Sequence, residues 1–244
     1  MTIASATKLA ILLLLFKPIS ALANDIYLNQ VGNDLTMTIV QDGENNVISS
    51  LNGNTSKAAI SSHNATISYT QTGNNNDIGL YTSGTNTSQT LAQTGNTNYA
   101  TVDCHGQYCT ANITQNGNNN VAFAEGGNGG DNNQTFSITQ DGDYNGAAVE
   151  ANGDDNTFVF DQDGDYNSIG GITGAPITGD DNTLSITQDG DYMTFEGHLV
   201  GSNNSLTSFQ GGRADSSFIR VSTVGNNNTG NLRQGKKMDG TVDN

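Results

Sequence analysis

The side chains best equipped for chemistry in this sequence are six aspartates, carried by three copies of one phrase. "QDGDYNGA" begins at Gln140, "QDGDYNSI" at Gln162 and "QDGDYMTF" at Gln188. Each sets two carboxylates around a glycine: Asp141 and Asp143, Asp163 and Asp165, Asp189 and Asp191. Clustered carboxylate oxygens are what a hard cation such as calcium takes as ligands. The competing reading is a corner, because acids on an exposed turn stay solvated, repel only weakly in salt and restrain aggregation. Asp161 adds a further carboxylate beside the second pair. "GGNGGD" from Gly126 also matches the calcium-binding repeat G-G-x-G-x-D. It occurs once, whereas that fold needs it on every turn, so it reads as a coincidence in a chain rich in Asn and Gly.

Other reactive residues are few. Cys104 and Cys109, in "CHGQYC", face each other across one turn, and in an oxidising compartment such a pair is expected to be a disulfide. Two free buried thiols are the next reading. Zinc comes last, since it needs two further ligands and only His105 is near. His63, His105 and His198 are scattered, with no Ser-His-Asp or HExxH arrangement and no loop to cradle phosphate. No enzyme is expected.

What positions these residues is a repeat. Gln-x-Gly recurs at Gln71, Gln93, Gln115, Gln140, Gln162, Gln188 and Gln210, in steps of 22, 22, 25, 22, 26 and 22 residues. The glycines are Gly73, Gly95, Gly117, Gly142, Gly164, Gly190 and Gly212. Midway between them the form returns without Gln, as in "ANGDDN", "ITGDDN", "LVGSNN" and "TSGTNT", so the unit is 11 residues paired into 22. Gln30 and Gln41 open the series; drift near 51–65 and insertions near 126–133 and 168–176 interrupt it. Between phrases, apolar residues alternate with Thr or Ser: Phe136 and Ile138, Leu184 and Ile186, Met37 and Ile39, Ile67 and Tyr69. Period-two alternation marks a strand with one buried face. Nothing after the leader has helical periodicity.

The expected fold is all-β: a parallel, amyloid-like β-solenoid of about nine 22-residue strand-turn-strand-turn coils, rising by roughly 4.8 Å per coil. Each turn holds glycine for a positive φ or a close backbone approach. Gln and Asn fall in phase with the inward apolar positions. The expected core ladder is Gln71, Gln93, Gln115, Gln140, Gln162, Gln188 and Gln210 with Asn76, Asn98, Asn120, Asn145 and Asn167. Identical amides stacked coil on coil can satisfy one another, as in cross-β assemblies. The cysteines occupy inward slots that Gln and Asn fill elsewhere.

Composition agrees with repetition. At 34% apolar residues and no Trp the chain is poor material for an ordinary core, but a repeat protein buries a small stripe many times over. Residues 1–23 are expected to be a secretory leader, with Lys8, the apolar run Leu9–Phe16 and Ala21-Leu22-Ala23 at the cut. That run is too short to span a bilayer, and no later segment is apolar enough. Loss of Lys8 and Lys17 with the leader leaves six basic against 24 acidic residues, a formal charge of −18. That excludes nucleic acid as a partner. Basic residues gather in 213–237, as Arg213, Arg220, Arg233, Lys236 and Lys237.

The pattern Ser/Thr-x-apolar-x-apolar-x-Gln-x-Gly-x-x-Asn-x-Ala resembles the curlin repeat, the unit of curli, the functional amyloid fibres of bacterial biofilms. "FSITQDGDYNGAAVEA" carries it through Gln140, Gly142, Asn145 and Ala147; "LAQTGNTNYATV" and "ITQNGNNNVAFA" carry it equally well. The repeats run from about 30 to 239 within a region spanning 24–244. The resemblance implies secretion through an outer-membrane export pore with accessory factors, then templated self-assembly with other curlin-like subunits at the cell surface. There are departures. The family's second Gln is replaced by Thr82, Cys104, Ala151, Ile177 or Leu199, and the Asn slot becomes Met193 and Asp215. Near the end Lys236 stands in the Gly slot. The expected role is a structural subunit, accessory or nucleator of such fibres. The alternative is a soluble secreted acidic solenoid acting as an adhesin for calcium or surface glycans, and ice binding by outward Thr and Ser is a remote third.

Overall fold

A computed structural model describes most of residues 24–235. Outside it lie 1–23, 27, 31–33, 35, 50–57, 61–63, 83–85, 105–107, 125–132, 149–150, 153–154, 171–176, 180, 202, 212–215, 226 and 236–244. The leader, Gly126–Asp131, His63, His105, Gly212, Arg213, Lys236 and Lys237 therefore fall outside the described residues. The described chain is all-β, with no helix.

Alternating side chains build two parallel sheets. The strands that end in Gln, from Thr36–Asp42 through Thr66–Thr72 and Ser88–Thr94 to Thr229–Gly235, form a nine-stranded sheet in chain order. The intervening strands, such as Asp77–Thr82, Tyr99–Cys104 and Met193–Val200, form the opposite, 13-stranded sheet. Parallel neighbours need a long crossover; here each crossover is the strand of the other sheet plus its two corners. The result is a β-solenoid. Its coil count needs refinement. Nine strands align in the glutamine sheet, but only six consecutive coils, from Gln41/Asn46 to Gln162/Asn167, carry a complete Gln-and-Asn corner.

Register is fixed because a slip of one residue would turn the buried column outward. Gln41 lies opposite Gln71, Gln71 opposite Gln93, and so on through Gln188 opposite Gln210. Between the sheets lies a thin core. Ile67, Tyr69, Leu91, Ile113, Ile138, Phe158, Phe160 and Ile186 from one sheet meet Ile78, Ala100, Val102, Ala122, Ile169 and Phe195 from the other. Phe136 and Phe158 stack within it at 5.8 Å. Outward, one column is Thr or Ser at every coil from Thr36 to Thr229, while the others vary.

The last coils are looser. Gly230 stands in the column of Leu206, and a cavity of about 200 Å³ opens there among Leu206, Val221 and Leu232.

Candidate functional site

The Gln-x-Gly-x-x-Asn phrase forms a tight corner in which both amide side chains bond to neighbouring coils. The glycine takes a positive φ, from +114° at Gly95 to +132° at Gly190, and the residue two further on is left-handed, as at Asn75, Thr97 and Asn119. Glycine is also required by packing. A Cβ on Gly95 would lie 1.9 Å from the carbonyl oxygen of Gly117, and one on Gly142 would lie 2.3 Å from that of Gly164. Corners thus stack backbone on backbone.

Above that stack runs the glutamine ladder. Gln71, Gln93, Gln115, Gln140, Gln162, Gln188 and Gln210 are all buried, at 0–1% exposure. From Gln41 onward each Nε2 donates to the Oε1 of the next Gln, in seven bonds of 2.7–2.9 Å ending at Gln210. The second N–H donates to a backbone carbonyl of the opposite sheet, as Gln93 to Asp77, Gln115 to Tyr99 and Gln140 to Val121. Each interior amide is therefore satisfied in full and ties both sheets together at the corner. A net hydrogen bond is worth about 1 kcal/mol, but leaving one unmade in the interior costs about 1–3 kcal/mol. Every described rung points the same way, donor toward the C-terminal coils.

Asn46, Asn76, Asn98, Asn120 and Asn145 form the second ladder. Each Nδ2 donates to the corner glycine carbonyl of the next coil, as Asn76 to Gly95 and Asn98 to Gly117. Each Oδ1 accepts the backbone N–H of the next Asn, through Asn167. Met193 breaks the run. Its backbone still donates to Asn167, but the Nδ2 of Asn167 is left buried without a partner.

The acidic phrase is a corner. Asp143, Asp165 and Asp191 each use Oδ1 to accept a backbone N–H from the preceding coil, of Asn118, Asp143 and Asp165 respectively, at 2.7–2.8 Å. Asn74, Asn96 and Asn118 do the same work in earlier coils. Asp141, Asp163 and Asp189 instead form an exposed column on the outer face of the glutamine sheet. Asp161 lies beside it. Partial burial, then the charges of Asp163, Asp141 and Asp189, raise its carboxyl above the usual value. The six aspartates make two rows, and among the described residues no three His, Cys, Asp or Glu side chains converge as a metal cage.

Comparison with known proteins returns no match: no family model, no curated sequence and no solved structure is significantly similar to the chain. The site must therefore be argued from its own geometry.

Cys109 is buried and disulfide-bonded, and the chain has one other cysteine, Cys104, whose backbone closes the strand Tyr99–Cys104. His198 sits on a strand of the opposite sheet. Two features escape a reading of the sequence. A second asparagine ladder lines the other corner, where Asn182, Asn204 and Asn228 each donate to the Asn one coil earlier, at 3.1–3.2 Å. Its signal was the terminal Asn of "GDDN" and "GSNN". The other is the stack of Tyr144, Tyr166 and Tyr192, one residue after the acids.

Proposed function

We propose that this chain is a structural subunit, or a nucleating accessory, of a curli-like extracellular amyloid fibre that serves in biofilm matrix and surface adhesion. The observation that supports the reading is the directional glutamine ladder, carried by a sheet whose end strands, among the described residues, each have a partner on one side only. These are Thr36–Asp42 and Thr229–Gly235, each of seven residues. Unpaired parallel edges of that length are templates for another chain, and an in-register amide ladder extends across such a junction at the same spacing. No side-chain constellation on the described surface argues for catalysis, and the reading is non-enzymatic. Export through an outer-membrane pore follows from the resemblance to the curlin repeat and from the leader expected in residues 1–23.

The test is direct. Purified chain lacking residues 1–23 is refolded from denaturant and followed by thioflavin fluorescence, electron microscopy and fibre diffraction. Fibres with reflections near 4.8 Å and about 10 Å are expected, and preformed fibres should abolish the lag. Protein that stays monomeric at high concentration for days, with or without calcium, would overturn the assignment and leave the acidic adhesin in its place.

A further inference from the structure

Directly after the acid that follows three of the corner glycines stands a tyrosine that none of the amide ladders uses. Tyr144, Tyr166 and Tyr192 occupy equivalent left-handed corner positions, with φ between 56° and 60°. Their rings are about half exposed, at 50, 46 and 54%. Centroids lie 4.8 Å apart for Tyr144 and Tyr166 and 4.9 Å apart for Tyr166 and Tyr192, with planes within 4° and 2° of parallel. The backbone enforces this closeness. Tyr166 donates its N–H to the Asp143 carbonyl and Tyr192 to that of Asp165, so consecutive corners are held in step. Rings stacked plane on plane at this separation come edge toward edge as each turns about its Cβ–Cγ bond. Their ortho carbons then approach, and the centre-to-centre distance is already near that of two rings joined by a single bond. Tyr99 and Tyr108 are exposed to a similar degree, at 37 and 47%, and stack on no other described ring.

We propose that the Tyr144–Tyr166–Tyr192 ladder is an oxidative cross-linking site, at which a peroxidase-type haem oxidant with hydrogen peroxide joins Tyr166 to Tyr144 or Tyr192 through their ortho carbons. Each phenol gives up one electron and its hydroxyl proton. The two phenoxyl radicals couple through their ortho carbons in one new carbon–carbon bond. The two displaced ortho hydrogens leave as protons while the oxygens are reprotonated, which restores both aromatic rings. Peroxide takes up the two electrons and two protons and departs as two waters, so the protein loses two hydrogens per link. Desolvation, then the neighbours Tyr144 and Tyr192, then Asp165 and Asp143, raise the ionisation of Tyr166 above its ordinary value. Coupling within the ladder is favoured because both partners are already placed, which turns an encounter between molecules into a step within one. The product bonds neighbouring coils directly, between residues 22 or 26 apart in sequence, where only hydrogen bonds and packing held them.

The experiment uses the folded chain, dilute enough to be monomeric by light scattering, with a haem peroxidase and hydrogen peroxide. Dityrosine fluorescence and peptide mass mapping are the readouts. Expected are linked peptides containing Tyr144 with Tyr166 or Tyr166 with Tyr192, two hydrogens lighter than their sum, at a yield per chain independent of protein concentration. Tyr166→Phe keeps the ring and the corner, and should cut the yield by at least about tenfold, while Tyr99→Phe leaves it unchanged. Chain unfolded in urea should lose the selectivity. The proposal is overturned by links that involve Tyr99 or Tyr108 equally, by a yield that rises with protein concentration, or by an undiminished yield in Tyr166→Phe. Because the measurement is made on monomer, its outcome is independent of whether fibres form.

Discussion

Replacing Gln115 with Leu tests the ladder where it is most regular. The substitution keeps the volume and removes three hydrogen bonds. Gln115 donates to the Oε1 of Gln140 at 2.8 Å and to the Tyr99 carbonyl at 3.0 Å, and accepts from the Nε2 of Gln93 at 2.9 Å. Leucine suits the apolar surroundings, since Ile113 and Ala122 are fully buried. It strands one amide N–H, one amide oxygen and one backbone carbonyl. At about 1–3 kcal/mol for each unmet interior group, partly relieved by rearrangement, the variant should lose about 3–6 kcal/mol. That is a large share of the ~5–15 kcal/mol typical of a whole domain. Urea unfolding of freshly refolded monomer, followed by circular dichroism and extrapolated linearly, reads the difference. The exposed Gln234 provides the control, and Gln234→Leu should stay within about 0.5 kcal/mol of wild type. If Gln115→Leu unfolds within about 1 kcal/mol of wild type, the ladder is decoration rather than structure.

Gly95→Ala should prevent the central coils from closing, given a Cβ 1.9 Å from a backbone oxygen, while Gly146→Ala, with nothing within 4 Å, should fold normally; protease resistance separates them. Acidification offers a second check. The folded carboxyl of Asp161 is raised, so the folded chain holds that proton more tightly than the unfolded one. Its contribution to stability therefore grows as pH falls from neutral through the raised pKa, and levels off below the unfolded value. Asp161→Asn should be more stable at neutral pH and show a smaller gain on mild acidification; an unchanged acid-side gain refutes the burial and repulsion assigned to this carboxyl. Arg220→Gln removes an ion pair with Glu196 of 2.7 Å that is largely exposed, and should shift stability by no more than about 1 kcal/mol. Substituting Gln for Arg213, Arg220, Arg233, Lys236 and Lys237 together should slow assembly at low salt and not at high salt, as light scattering would register.

Much of this molecule is legible in its periodicity. The alternation around Ile67 and Tyr69 gives the buried face, and the recurrence of Gln and Asn two residues outside it gives the inward corner. What periodicity leaves open is the vertical direction. Nothing in "QDGDYN" says that Asp143 accepts a backbone N–H from the coil before through its Oδ1. The clue was that Asn74, Asn96 and Asn118 hold the same slot, since an amide and a carboxylate share the acceptor oxygen. Tyr144 was harder to foresee, because a bulky residue disfavours the left-handed region. The three tyrosines take it because Asn45, Asn75 and Asn119 show the corner to demand it, whatever side chain is present. Coil count misleads for a related reason: Gln188 and Gln210 keep the beat although Met193, in the corner of Gln188, breaks the asparagine ladder.

Because all seven glutamine rungs point their N–H groups toward the C-terminal coils, the amide dipoles add along the axis. The backbone contributes little to offset them, since sheet dipoles largely cancel, and the three asparagine rungs of the other corner, which point the opposite way, offset only part of the seven. The solenoid is thus polarised end to end, in the manner of a helix but through its side chains. Its positive pole coincides with the coils that carry Arg220 and Arg233, and its negative pole with the coil of Gln41. Two copies meeting end on end are attracted in one orientation and repelled in the other two. A filament of this chain would carry an arrow, and its two tips would not grow at the same rate.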